Sequence, residues 1–299
     1  MEEFVTRADL LPRERMVALS RKTNVQGLAH LALHTIALAV TGALLWQADS
    51  TWWVGPAMVV HGIVVAFLFC FHHELIHRTV FTRPLMNDAL AVVTGWLVFY
   101  PAFYFRLFHY AHHRHTQDRE HDPELVVAPP TTRAAYLWWA MSFAYMWRRF
   151  GTSFVHAFTG RAKQPFVRDR HVADCVAEAR LMWAGYILVI AASVYFEIWV
   201  ALQYWLGPIL LGQPFLRLYL MAEHVGCDSG DDMIANARTT ISNPVVRILA
   251  WNMPYHTEHH LFPSVPFHAL PELHREIKDQ LRFVAPGYIA VHRELWPSA

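Results

Sequence analysis

Four stretches of the chain are almost continuously apolar over about the 20 residues needed to cross a hydrocarbon core. They run roughly 28–46, 52–71, 181–201 and 204–222. The short turns inside each pair, near 47–51 and 201–204, contain no Lys or Arg. The first 25 residues, by contrast, carry Arg7, Arg13, Arg15, Arg21 and Lys22, and the region from Arg78 to Arg180 includes Arg106, Arg114, Arg119, Arg148, Arg149 and Arg170. Basic residues mark the cytoplasmic side, so both turns are expected outside, with both termini and the middle region in the cytoplasm. The predicted fold class is all-α: an integral, multi-pass membrane protein with four transmembrane helices and a cytoplasmic helical cap.

Two further apolar stretches do not fit as simple spans. Ala89 to Phe105 could insert, yet a full crossing would put the histidine-rich segments on either side of it on opposite faces of the membrane, so a re-entrant or interfacial course is predicted. Ala134 to Trp147 is shorter and rich in Trp and Tyr, which suits a helix at headgroup level. No repeat or second soluble domain interrupts the pattern. The expected organisation is a cytoplasmic segment over 1–27, a membrane domain over 28–275 and a cytoplasmic tail over 276–299.

Composition supports this reading. Charged residues make up 16% of the 299 residues and hydrophobic ones 55%, whereas soluble domains are about 25% charged. The 12 tryptophans suit interfacial belts. A net charge of +1 supplies no electrostatic footprint for nucleic acid. Cys70, Cys175 and Cys227 are isolated, so they are expected to be reduced and structural. Met1-Glu-Glu-Phe-Val-Thr-Arg lacks the apolar core of a cleavable signal peptide, and the first span is expected to direct insertion. The ending Leu295-Trp-Pro-Ser-Ala shows no retrieval signal, which favours a bacterial inner membrane over endoplasmic reticulum.

Histidine is the residue whose placement suggests chemistry. His256, His259 and His260 form an H-x-x-H-H pattern; His109, His112 and His113 repeat it upstream; His73 and His77 lie four apart; and His224 follows Met221-Ala-Glu. In a helix, residues three and four apart share a face, while adjacent ones diverge by about 100°, enough for neighbouring imidazoles to reach different ions. Nine imidazoles are too many for one ion, since a single zinc takes about four ligands. They suit a pair of redox metals, and imidazole is a good ligand for iron. Glu74, Glu223 and Glu258 each adjoin one of these histidines. They would accept a ring N–H and set its tautomer, with direct metal binding or a solvent-facing position as the alternatives.

Other polar residues have plainer expectations. Asp118, Glu120 and Asp122 would pair with Arg114 and Arg119 or belong to an ordinary charged loop. Arg238 would hold an acidic group or face phospholipid. His30, His34 and His61 lie within apolar spans, where bonding between helices or tunnel polarity is expected. His115 and His121 are read as lying at the edge of the site or on the surface, and His156, His171, His268, His274 and His292 as surface residues.

His-Glu-Leu-Ile-His at 73–77, His-Tyr-Ala-His-His at 109–113 and His-Thr-Glu-His-His at 256–260 together resemble the boxes of the membrane fatty acid desaturase superfamily. The resemblance covers about residues 28–275 in the order and spacing of the boxes, and extends to Ala222-Glu-His, Asn236-Ala-Arg-Thr-Thr and Phe262-Pro. It implies a diiron site held by His73, His77, His109, His112, His113, His256, His259 and His260, with His224 as a further ligand, and O2 as co-substrate. The chain has no His-Pro-Gly-Gly segment of a fused cytochrome b5 domain. Electrons would therefore come from a separate donor of ferredoxin or cytochrome b5 type with its reductase. The arginine-rich middle region offers such a carrier a basic surface.

The expected activity is O2-dependent desaturation of a lipid acyl chain or similar amphiphile. The alternatives are a hydroxylase or ketolase on the same scaffold, or a desaturase of a small amino-acid-derived metabolite. A histidine-rich metal transporter is a more distant alternative, because transport sites favour the membrane midplane whereas these clusters are placed at the cytoplasmic ends of the spans.

Overall fold

A computed structural model describes residues 10–126, 129–230 and 232–297. Arg7, the acidic start of the chain and the last two residues lie outside them. The fold is predominantly helical. Helix α1 (Arg13–Leu19) precedes α2 (Asn24–Ala48), whose start is capped by Thr23 Oγ1 accepting from the Val25 amide at 3.2 Å. Helices α3 (Val54–Ala66) and α4 (Leu68–Ile76) form one run, Val54–Ile76, that ends in the first histidine pair. Most residues of α2 point apolar side chains outward, including Val25, Leu28, Leu33, Ile36, Val40 and Leu44. That surface needs an apolar solvent.

Helices α5 (Pro84–Leu97) and α6 (Ala102–His115) take the place of the expected re-entrant stretch and meet at 97°. The break has identifiable causes. Phe99 is left-handed (φ 61°) and Pro101 begins the next helix, so the first helix cannot continue through. Glu178 then accepts from the Phe103 amide at 2.8 Å, satisfying a donor that the first turn of α6 leaves open. The bend turns the chain so that the second histidine box packs beside the first.

The Trp-rich stretch folds as two helices, α7 (Arg133–Ala140) and α8 (Phe143–Thr159), joined at left-handed Ser142. Trp138 and Trp147 are exposed, as an interfacial position requires. The long helix α9 (Asp169–Phe196) follows, then a π-helical turn over 202–206 and α10 (Gly207–His224).

Among the described residues three helices are long and apolar enough to cross a membrane: Asn24–Ala48, Val54–Ile76 and Asp169–Phe196; the bent α5–α6 pair would make a fourth if it counts as one span. The expected fourth span, 204–222, is helical but contains Gln213 and Arg217, which turn inward rather than toward lipid. Helix α10 lies in backbone contact with α3. A Cβ added at Gly212 would sit 2.0 Å from the Gly62 carbonyl oxygen, and one at Gly62 would sit 1.9 Å from the Pro208 oxygen. Small residues at such crossings let backbones approach.

The remaining residues close one end of the bundle. Strands β1 (Thr239–Thr240) and β2 (Val284–Ala285) pair in parallel, and α11 (Pro244–Leu249), α12 (His256–Leu261), α13 (Leu270–Ile277) and α14 (Tyr288–Leu295) pack around them. Arg15 of α1 forks onto Glu276 at 2.8 Å and onto Glu272, tying the start of the chain to α13. The described part of the N-terminal segment, from residue 10, is thus tied to the cap through Arg15.

Candidate metal centre

Each histidine box sits where a helix ends against the cap. His73 and His77 close α4, one turn apart on one face. His109, His112 and His113 occupy the last two turns of α6, His224 ends α10, and α12 carries the third box. The turns beside the boxes use left-handed residues, Arg78 after the first, Gln117 after the second, and Trp251 with Asn252 before the third. Non-glycine residues there are strained, and packing holds them. The Trp251 ring stacks on Phe71 with centroids 4.2 Å apart, and Asn252 donates to the Phe267 carbonyl at 3.1 Å.

The nine expected imidazoles form two adjoining groups. Ligand nitrogens of His73, His77, His109, His113 and His259 lie within 4.8 Å of one another, and so do those of His112, His224 and His260. His256 joins the second group, with its Nε2 2.9 Å from that of His224. The neighbours His112 and His113, and likewise His259 and His260, divide between the groups, as a turn of about 100° per residue allows. His115, Asp118 and His121 make a separate, partly exposed group.

The donor set fits metal ions. His109 and His113 bring their Nε2 atoms to 2.8 Å, His113 and His259 to 3.1 Å, and His112 and His224 to 3.2 Å. Two nitrogens bound at about 2.0–2.1 Å to one ion would come about this close. The buried Nε2 atoms of His73, His77 and His260 have no hydrogen-bond partner among the described residues. Buried polar atoms are normally satisfied, and a shared cation would satisfy these. Burial, reinforced by neighbouring imidazoles, holds His256, His259 and His260 well below the usual histidine range. They are therefore neutral at physiological pH, the form that binds metal.

Hydrogen bonds behind the rings set their orientation. Asp122 accepts from His112 Nδ1 at 2.9 Å and from the Gln117 and Glu124 amides, each at 2.9 Å. With Nδ1 donating, the lone pair of His112 is left on Nε2, toward His224. His224 Nδ1 donates to the Asn236 carbonyl at 3.0 Å, and His260 Nδ1 lies 3.2 Å from Thr116 Oγ1. Glu74 Oε1 is 3.6 Å from His73 Nδ1, and Glu223 Oε1 is 3.4 Å from His256 Nδ1. We expect Asp122→Asn to weaken metal binding by about 10- to 100-fold, the usual cost of losing such a partner. Competition against a chelator would measure it, and unchanged retention would contradict the assignment.

Several expectations are corrected here. Asp122 pairs with a histidine of the site, not with Arg114 or Arg119. Glu258 does not support a box histidine: it is fully buried between Thr239 Oγ1, 2.5 Å away, and His274. Arg238 faces neither lipid nor solvent but donates to the Ala222 and Val225 carbonyls at 2.8 and 2.9 Å, capping the end of α10 beside His224. His274 is thereby a structural partner, and His156 is buried, 3.1 Å from Gln164 Oε1. His30, His34 and His61, by contrast, bond between elements as expected, to the Ile248, Val64 and Tyr204 carbonyls at 2.7, 3.0 and 3.0 Å.

A cavity of about 140 Å³ adjoins both groups. His73, His109, His112, His224 and His256 form one wall, and Phe69, Phe105 and Phe108 bring aromatic surface to it. Nitrogen ligands and aromatic side chains thus meet in one space.

With this geometry in view, comparison with known proteins is specific. The Fatty acid desaturase family model matches residues 50–292. The chain is 26% identical over 297 residues to the dihydrorhizobitoxine desaturase of Bradyrhizobium elkanii, covering 91% of this chain and 79% of that protein. It is 28% identical over 252 residues to a sphingolipid delta(4)-desaturase of Drosophila melanogaster, covering 82% and 71% respectively. It is also 28% identical over 217 residues to a beta-carotene ketolase of Paracoccus, covering 68% and 72%. Its histidine-rich site and apolar helices, together with the match across most of its length, place the chain in the fatty acid desaturase family.

Proposed function

We propose that the protein is an O2-dependent membrane desaturase that introduces a carbon–carbon double bond into a lipid acyl chain or similar amphiphile. The observation that carries this reading is the pair of adjoining imidazole groups facing one cavity to which Phe69, Phe105 and Phe108 bring aromatic surface. Two iron ions are the proposed occupants. His73, His77, His109, His113 and His259 would hold one, and His112, His224, His256 and His260 the other. Bound iron would supply the activation of O2 needed to remove hydrogen from an unactivated C–H bond.

The chain's own residues do the rest. The imidazoles would hold the ions, a task that needs their neutral form. Asp122 and the Asn236 carbonyl keep His112 and His224 in one tautomer, and Glu74 and Glu223 lie close enough to His73 and His256 to bias theirs. Phe69, Phe105 and Phe108 would position the substrate chain and keep water from the reacting carbon. We place the protein in a bacterial inner membrane with four spans, both termini and the cap in the cytoplasm, and electrons arriving from a separate ferredoxin or cytochrome b5 type donor.

Hydroxylation or ketone formation is a second reading, favoured by the similarity to a ketolase. Similarity to a desaturase named for dihydrorhizobitoxine keeps a small amino-acid-derived metabolite among the candidate substrates. Untargeted mass spectrometry of lipid and polar extracts, from cells expressing wild type or His259→Ala, separates these. A wild-type-specific product lighter by two hydrogens is expected. A product heavier by one oxygen would replace desaturation with hydroxylation.

A further inference from the structure

The same cavity holds a charge that the metal site does not use. Arg217 lines it from α10, two turns before His224. Its guanidinium lies 4.3 Å over the Trp139 ring and 5.0 Å from the Tyr145 ring. Its Nε is sealed from solvent with no hydrogen-bond partner, and among the described residues no carboxylate comes within 4 Å of its nitrogens. The two carboxylates of the cavity lie at the histidine end. Glu124 Oε2 is 4.0 Å from His112 Nε2, and Glu223 Oε1 is 3.4 Å from His256 Nδ1. Arg148 adds a second cation to the lining.

Glu124 and Glu223 act on Arg217 only across the cavity. A buried guanidinium without a carboxylate in hydrogen-bonding contact is unfavourable, and aromatic faces offset only part of that cost. Guanidinium binds carboxylates through two parallel hydrogen bonds, and the flat rings beside Arg217 restrict the direction in which it presents its fork. Size limits what else can enter. At about 140 Å³ the cavity is on the scale that holds one benzene-sized guest. Seven helical residues between Arg217 and His224 correspond to about 10 Å along the axis. An anion at Arg217 would therefore leave only a short chain to reach the histidines.

We propose that Arg217 anchors the carboxylate of a short-chain substrate, with the carbon to be oxidised held a short chain length away beside the histidine groups. This rests on the reading that the cavity is where substrate is oxidised, and it narrows the substrate class to small amphiphilic carboxylates. Arg217 is a binding residue in this assignment. The oxidation itself belongs to the metal centre.

The test uses purified, metal-loaded full-length protein in lipid nanodiscs. Butanoate, hexanoate and octanoate are each compared with the corresponding amide by calorimetric titration, for wild type, Arg217→Gln and Arg217→Lys. Wild type should prefer at least one carboxylate over its amide. Arg217→Gln should weaken that carboxylate by about 10- to 100-fold, the scale of a lost charge-assisted pair, and leave the amide unchanged. Arg217→Lys should retain part of the preference, because it keeps the charge and loses the fork.

Equal binding of acid and amide by wild type, or no binding by any member of the series, would overturn the anchor. A preference that persists in Arg217→Gln would overturn it too, since the carboxylate would then be sitting on the metal. If the Gln variant misfolds, the wild-type and Lys titrations still decide. Product analysis in cells is read separately. No oxidised product alongside a clear carboxylate preference would remove the desaturase reading and leave the anchor; a product without the preference would do the reverse.

Discussion

Replacing His259 with alanine is expected to lower activity by more than about 100-fold, since even indirect partners of metal ligands are worth about 10- to 100-fold. His259 is buried, and its Nε2 lies 3.1 Å from that of His113 in the first group. In the proposed diiron reading, metal content should fall from two ions per chain toward one. The truncation leaves a small void where His259 packs against His73 and His77 at the end of α4 and alters no outward-facing apolar residue of a span, so membrane insertion should be unchanged. Metal analysis of purified protein alongside product formation checks both parts. His121→Ala is the matched control, because that histidine lies in the exposed group with His115 and Asp118. Full turnover by His259→Ala would remove the proposed centre.

The second large effect concerns the crossing of α3 and α10. At Gly212 an added Cβ would meet the Gly62 oxygen at 2.0 Å, backbone against backbone, with no flexible side chain to give way. Gly212→Val must therefore push the helices apart. Overpacking typically costs about 1–3 kcal/mol, and a clash between two backbones belongs at or beyond the upper end. We expect a lowered thermal midpoint and a loss of monodisperse protein on size-exclusion chromatography. Gly55→Ala, where nothing lies within 4 Å of the new Cβ, should leave both measurements near wild type. The displacement would also move His224 at the far end of α10, so metal binding by the second group should weaken with the fold.

Much of this architecture could be read from local pattern. Apolar length located the first, second and third spans, and the spacing of the boxes brought nine imidazoles into view. The argument that two boxes must share a side anticipated a departure from a simple crossing at Ala89 to Phe105, which the structure makes as a 97° bend. What local pattern could not supply was partner identity across long separations. Asp122 sits among ordinary charged residues, and its service to His112 depends on how the loop after α6 folds back. Arg238 resembled a headgroup ligand until α10 ended against it. Glu258 adjoins a box histidine in sequence, yet a helix turns successive side chains apart, and it points away from the centre.

Arg217 is a different kind of omission. A charge inside an apolar span is itself a functional signal, and it was present in the letters between Tyr204 and Ala222. Counting that stretch as a span by length hid it.

The buried Glu258 has one more consequence. Helix α12 is six residues long, far below the length at which a helix is stable alone. It is pinned by Glu258 to β1 through Thr239 and to α13 through His274. The third box is therefore anchored by contacts other than those of its imidazoles. Small metal-folded domains collapse when their ion is removed, whereas this cap has anchoring contacts of its own. The expected consequence is that chelation empties the site while the helical signal in circular dichroism persists.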